Sequence, residues 1–189
     1  MDWKKTEERL FKWSQTTIKK FGREYPDESI CSLFFDSEPK YGYVGLAFDT
    51  FENSIRSAKK MERFAIESRK RNAKDADAWR NARYHINTPV LSIFNTNSGD
   101  FVYPEYAQIE FPVWRRLVKS KNYTKKYPKR FDHDDDYLDG DIRILLWKIA
   151  ERLIATKSFQ PLKLASPFII GYAFHDAEEV ILRVLNWPV

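Results

Sequence analysis

The sequence predicts an α+β fold: a single domain in which a mainly antiparallel sheet packs against several amphipathic helices. Two segments, 3–22 and 137–156, carry apolar residues at the three-and-four spacing of a helix with one buried face. Apolar runs of strand character lie at 30–35, 41–48 and 167–174. The segments run helix, two strands, helices, two strands, helix, strand, helix, which points to antiparallel pairing rather than a wound parallel sheet. At 189 residues the chain suits one domain, burying about 70% of the surface its unfolded form exposes. No internal repeat, low-complexity tract or interdomain linker interrupts it, so residues 1–189 are read as one unit.

In the first helix Leu10, Trp13, Thr17 and Phe21 share a face that Phe11 and Ile18 widen. Gly22, followed by Tyr25-Pro26, is expected to stop it. The strands Ile30–Phe35 and Tyr41–Phe48 follow, joined by the turn-like DSEPK, with apolar residues in both alternating sets. Both faces of their sheet should therefore be covered. Asp49 or Thr50 is placed to cap a helix over 51–72, with Ile55, Ala58, Met61 and Ala65 facing inward. A second short helical segment is read at 75–85. Val90–Phe94 and Phe101–Phe111 resemble a hairpin around NTNSGD, whose Asn, Gly and Asp suit a loop. Pro112 ends that strand and a short helix begins around Trp114–Val118. The 137–156 helix buries Leu138, Ile142, Leu145, Leu146, Ile149 and Leu153. In the tail after 175, Asp176 and Glu179 form a capping box, whereas the β-branched residues after them suit a strand. The capping box tips the expectation towards helix.

Composition removes several classes. Only six Gly argue against a glycine-rich phosphate cradle, and the single Cys31 excludes an internal disulfide and a thiolate metal cluster. Cys31 sits in the apolar run ICSLFF and is read as a buried core residue, not a reactive thiol. The N-terminus has no apolar signal core and no apolar run approaches membrane-spanning length. A cytoplasmic location and no membrane partner are the resulting expectations.

The most informative local feature is a charge reversal. Residues 115–130 (RRLVKSKNYTKKYPKR) hold eight Lys/Arg and no acid; residues 132–141 (DHDDDYLDGD) hold six Asp and no base. Removing those eight charges from the net +5 leaves the rest at −3. Two adjacent fields of opposite sign can orient a charged partner. The candidate binding residues are therefore Arg115, Arg116, Lys119, Lys121, Tyr123, Lys125, Lys126, Tyr127, Lys129 and Arg130, with Asp132, Asp134 and Asp135.

Spacing discriminates among the alternative chemistries. A calcium loop starting at Asp132 fails where it needs glycine and glutamate, at Tyr137 and Arg143. Asp136–Asp141 instead suit the start of a helix, where carboxylates meet orphan N–H groups. Trp114, Tyr123 and Tyr127 interleaved with cations would suit phosphates and bases, so nucleic acid is the second candidate partner. Asp27, followed by Glu38-Pro39-Lys40, matches a loose metal-nuclease pattern. His175-Asp176 resembles the pair of metal phosphohydrolases, but only His85 and His133 remain to add imidazoles. No nucleophile elbow, phosphate loop, dinucleotide fingerprint or zinc spacing occurs. A non-enzymatic protein without metal or cofactor is the expectation.

Three segments carry a family likeness: YGYVGLAFDTFENS (41–54), IFNTNSGDFVYPEY (93–106) and GYAFHDAEEVILRVLNWP (171–188). Together they resemble small bacterial domains encoded beside polymorphic or contact-dependent toxins. The likeness lies in hydrophobic framework residues and spans most of the chain. It implies an immunity protein, a cytoplasmic antidote that binds one cognate toxin and blocks its active site or activation. Antidotes to basic nucleases are typically acidic whereas this chain is basic, so the toxin need not be a nuclease.

Overall fold

The computed structural model describes residues 2–72, 95, 97–120, 137–174 and 179–186. Along these the elements are α1 (Trp3–Glu24), β1 (Ser29–Glu38), β2 (Tyr43–Thr50), α2 (Phe51–Asn72), β3 (Tyr103–Glu110), α3 (Pro112–Val118), α4 (Tyr137–Ala155), β4 (Lys163–Phe174) and β5 (Val180–Leu185). The strands form one sheet in the order β3-β2-β1-β4-β5. All neighbours are antiparallel except β1 and β4, which run parallel. The fold is α+β with a mainly antiparallel sheet. No helix among the described residues is long and apolar enough to cross a membrane.

Strand alternation distributes the apolar residues to two faces. Leu33 and Phe35 of β1 stand opposite Phe48 and Leu46 of β2 and beside Ile170 and Tyr172 of β4. This side joins Leu10, Ile18 and Phe21 of α1 and Ile142, Leu146, Ile149 and Leu153 of α4 in the main core. The other side carries Phe34, Ala47 and Ile169, with Phe101 packed against them. Both faces of the sheet centre are buried, as the strand pattern predicts.

Asp2 caps α1, accepting a hydrogen bond from the Lys5 amide at 3.0 Å. Gly22 does not stop this helix, which continues to Glu24. It serves packing instead: a Cβ there would lie 2.3 Å from the Pro161 carbonyl oxygen. The end of α1 sits in an aromatic cluster, with Phe21 stacked on Phe48 at 4.1 Å and Tyr25 4.5 Å from Tyr103. Arg152 of α4 clamps α1, donating to Glu7 and Glu8 at 2.9 Å each while its guanidinium lies 4.0 Å from the centre of the Phe11 ring. The β1–β2 turn falls at 39–42, a little later than DSEPK suggests, and Gly42 closes it at φ 76.

Three further expectations are corrected. Residues 180–185 are a strand, not part of a helix: Val180 and Val184 pair with Tyr172 and Ile169 of β4. Long-range pairing prevails over the local capping box. Met61, expected inside, is 53% exposed, and Phe64 and Ile66 are exposed with it. Among the described side chains of α2, those buried lie in its first turns: Asn53, Ser54 and Ala58. The Phe101–Phe111 strand pairs with β2 over the narrower range Tyr103–Glu110. The expected partner segment Val90–Phe94, the 75–85 helix, the Ala65 and Leu138 side chains and all three His lie outside the described residues.

A candidate protein-binding surface

The described part of the charge-reversal region begins on α3. Pro112 occupies the first turn, where its missing N–H costs nothing. Trp114 anchors the helix: it is fully buried and stacked on Phe111 at 4.4 Å. That anchor leaves Arg115 and Arg116 exposed. Arg115 is committed locally, since its Nε and one terminal nitrogen donate to the Tyr41 carbonyl at 3.0 and 2.7 Å. Arg115 is therefore a tether between α3 and the β1–β2 turn. Arg116 and Lys119 are exposed. Lys121, Tyr123, Lys125, Lys126, Tyr127, Lys129, Arg130, Asp132, Asp134 and Asp135 lie outside the described residues, as does the failed calcium loop up to Asp136.

The loose nuclease pattern does not converge. Asp27 precedes β1 and Glu38 ends it, so the nine steps of extended chain from Ser29 to Glu38, about 30 Å, lie between them. One metal ion cannot bridge that distance. Lys40 turns to the Tyr41 ring, 5.5 Å from its centre. No group of three or more His, Cys, Asp or Glu suited to a metal occurs among the described residues.

Sequence reasoning passed over a buried polar cluster at the junction of β2 and α2. Thr50 is the cap, accepting from the Asn53 amide at 3.2 Å. Asp49 is fully buried beside it, and its Oδ1 accepts from Asn53 Nδ2 at 2.8 Å and from the Val102 amide at 3.2 Å. Its Oδ2 has no hydrogen-bond partner among the described residues. Burial pushes the Asp49 carboxyl above the usual carboxylate range, against the opposing pull of Asn53, the amides of Val102 and Thr50, and Arg56. Asn53 Nδ2 also donates to the Asp100 carbonyl at 3.0 Å, and the Asn95 amide donates to Ser54 Oγ at 2.7 Å. The cluster pins Asn95 and residues 100–102 to the start of α2. Cys31 lies against it, its Sγ 3.6 Å from the Asp49 carbonyl, and burial raises its pKa to about 11. These hydrogen bonds make the cluster a structural latch. An acid closing an apolar strand run was the available signal, and it was read only as a cap.

The outer face of α4 is different. Ile144 and Trp147, three residues apart, are 54% and 44% exposed, although the inner face of the same helix is fully packed. Beside Ile144 a cleft of about 250 Å³ opens between α1 and α4, lined by Trp3, Glu7, Asp141, Ile144, Leu145 and Lys148. Glu7 is held there by Arg152. An aromatic and a branched aliphatic side chain left in water on one helix face are the composition of an interface centre. No protein-family model, curated protein or solved structure matches this chain.

Proposed function

We propose that the protein is a non-enzymatic binding module for another protein, acting as an immunity factor that neutralises a cognate bacterial toxin. The exposed pair Ile144 and Trp147 carries the reading. The fold does not need them, since the core side of α4 is complete without them. They follow directly on the sequence's charge reversal, so an apolar anchor and an orienting field adjoin in one stretch of chain. The toxin-directed form of the reading rests on the resemblance of the three framework segments.

Growth rescue tests it. The protein is co-expressed with toxins encoded beside its gene, and rescue together with a stable complex is the expected result. Absence of any adjacent toxin that it binds and neutralises removes the immunity role. Salt-dependent retention of labelled DNA or RNA, lost on charge reversal of Lys125, Lys126, Lys129 and Arg130, supports nucleic-acid binding instead.

A further inference from the structure

We propose that β5 pairs antiparallel with β5 of a second copy of this chain, joining two five-stranded sheets into one. The proposal goes beyond the toxin-binding reading and does not depend on it. The sheet ends in two edge strands, β3 and β5, and the sequence treats them differently. An open edge is a template for another strand, and proteins blunt it with proline, charge or a bulge that bends it away. β3 carries all three. Pro104 lacks an amide hydrogen, Glu105 is exposed with φ 46, and Glu110 is exposed at the end of the strand. Residues 104–106 stand where β2 has only Ala47. β5 reads VILRVL, with no proline and no acid. Its one charge, Arg183, is already ion-paired with Glu151 of α4 at 2.7 Å. No strand among the described residues lies beyond β5, and Ile181 and Val184 on it are 48% and 39% exposed.

The register of β5 identifies the occupant. Ile181 stands opposite Gly171 of β4 and Arg183 opposite Ile170, so Leu182 is an extra residue in the ladder. Val184 stands opposite Ile169, and the extra residue therefore brings Ile181 and Val184 to the same face. Ile169 packs with Phe34 and Phe101, so this face is the one away from α1 and α4. A regular partner strand would match β5 on one side of Leu182 and be one residue out of step on the other. Such a slip turns its side chains to the wrong face. A second β5 carries the same extra residue. Paired about a two-fold axis between Leu182 and Arg183, the two strands stay in step throughout. Each Ile181 then lies opposite the other copy's Val184, and each Arg183 opposite a leucine and not another arginine. Two apolar pairs are covered, no like charges stand directly opposite, and a patch that meets its own image closes at two copies.

Sedimentation equilibrium of the full chain tests the proposal. A concentration-dependent rise from 22.5 kDa to twice that mass is expected. Ile181→Glu and Val184→Lys should each weaken the dimer by about tenfold or more, because each substituted contact occurs twice about the axis. Mixing the two variants should restore the dimer, since Ile181→Glu in one copy then faces Val184→Lys in the other. That rescue is specific to the proposed register, and thermal unfolding of each variant reports that it remains folded. A single-chain mass up to millimolar concentration overturns the proposal, as does a dimer that both variants leave intact. A mixture no more associated than either variant alone overturns the register. A monomer whose β5 amides gain protection from hydrogen exchange only when a protein partner is added gives the edge to that partner instead. Toxin neutralisation is scored separately, so either reading can fail without the other.

Discussion

Gly22 and Pro161 approach so closely that the helix backbone of α1 lies against the carbonyl of the turn before β4, with 2.3 Å left for any Cβ. Gly22→Ala would gain up to about 1 kcal/mol of helix propensity. The clash is with backbone, which cannot swing aside, and overpacking of this kind costs about 1–3 kcal/mol. The clash should prevail. Urea denaturation is expected to show Gly22→Ala less stable than the parent, and a higher midpoint would mean that the turn yields freely.

Trp114 and Trp147 make a matched pair of opposite burial. Trp114→Ala should cost about 3–5 kcal/mol, the range for emptying a core aromatic site. Trp147→Ala should cost under about 1 kcal/mol, yet weaken binding of the proposed protein partner at least tenfold. Thermal unfolding together with titration calorimetry separates the two effects. Unchanged binding by the Trp147 variant would remove that residue from the interface.

The fork of Arg115 on the Tyr41 carbonyl predicts a structural effect from a residue that looks like part of a binding strip. Arg115→Ala should destabilise by about 1 kcal/mol, the scale of an exposed charge-assisted contact. Arg116→Ala and Lys119→Ala should each stay within about 0.5 kcal/mol. Equal effects at all three positions in denaturant titrations would deny Arg115 its tethering role.

Asp49 sets a pH dependence whose sign follows from linkage. Its carboxyl is raised in the folded state, so the native chain holds that proton to higher pH than the unfolded chain does. Stability from this group is fully present below the unfolded carboxylate pKa and falls as pH rises through the folded value. Asp49→Asn keeps an oxygen to accept from Asn53 and Val102 and removes the titration. The variant should therefore gain on the parent as pH climbs from the acid range towards neutrality. Parallel stability curves for the two proteins across that window would contradict the assignment.

Cys31, with its pKa at about 11, is thiolate in only about one molecule in a thousand at pH 8, and thiolate is the reactive form. Aromatic disulfide reagents should leave it unmodified in the folded protein and label it as urea unfolds the chain. Stoichiometric labelling without denaturant would place it at the surface.

What could be read from the sequence was whatever a local period encodes. The stripes of α1 and α4 and the apolar runs of β1, β2 and β4 are set by side chains that repeat on one face, so their positions follow from spacing alone. Met61 misled because its spacing continues the α2 stripe after the helix has passed beyond its packing surface. Gly22 misled because a close approach to Pro161 looks, from one chain segment, the same as a helix stop. Val180–Leu185 is a strand because β4 offers it an edge, a partner that no local window contains. At the candidate surface, the charge reversal was legible as composition. The exposure of Ile144 and Trp147 was not, since it depends on which face of α4 the sheet takes.

The parallel pairing of β1 with β4 sets a timetable. Ser29 lies beside Lys163 and Ser37 beside Phe174, so the centre of the sheet joins the early and late parts of the chain. During synthesis β2 is the one strand paired with β1 until β4 has been made. Closing so long a loop delays the decisive contact, and folding should be slow by the standard of helical bundles of this length. Until then β1 presents an open, apolar strand edge that other chains can pair with. A nascent chain of this protein is therefore most exposed to aggregation just before β4 emerges.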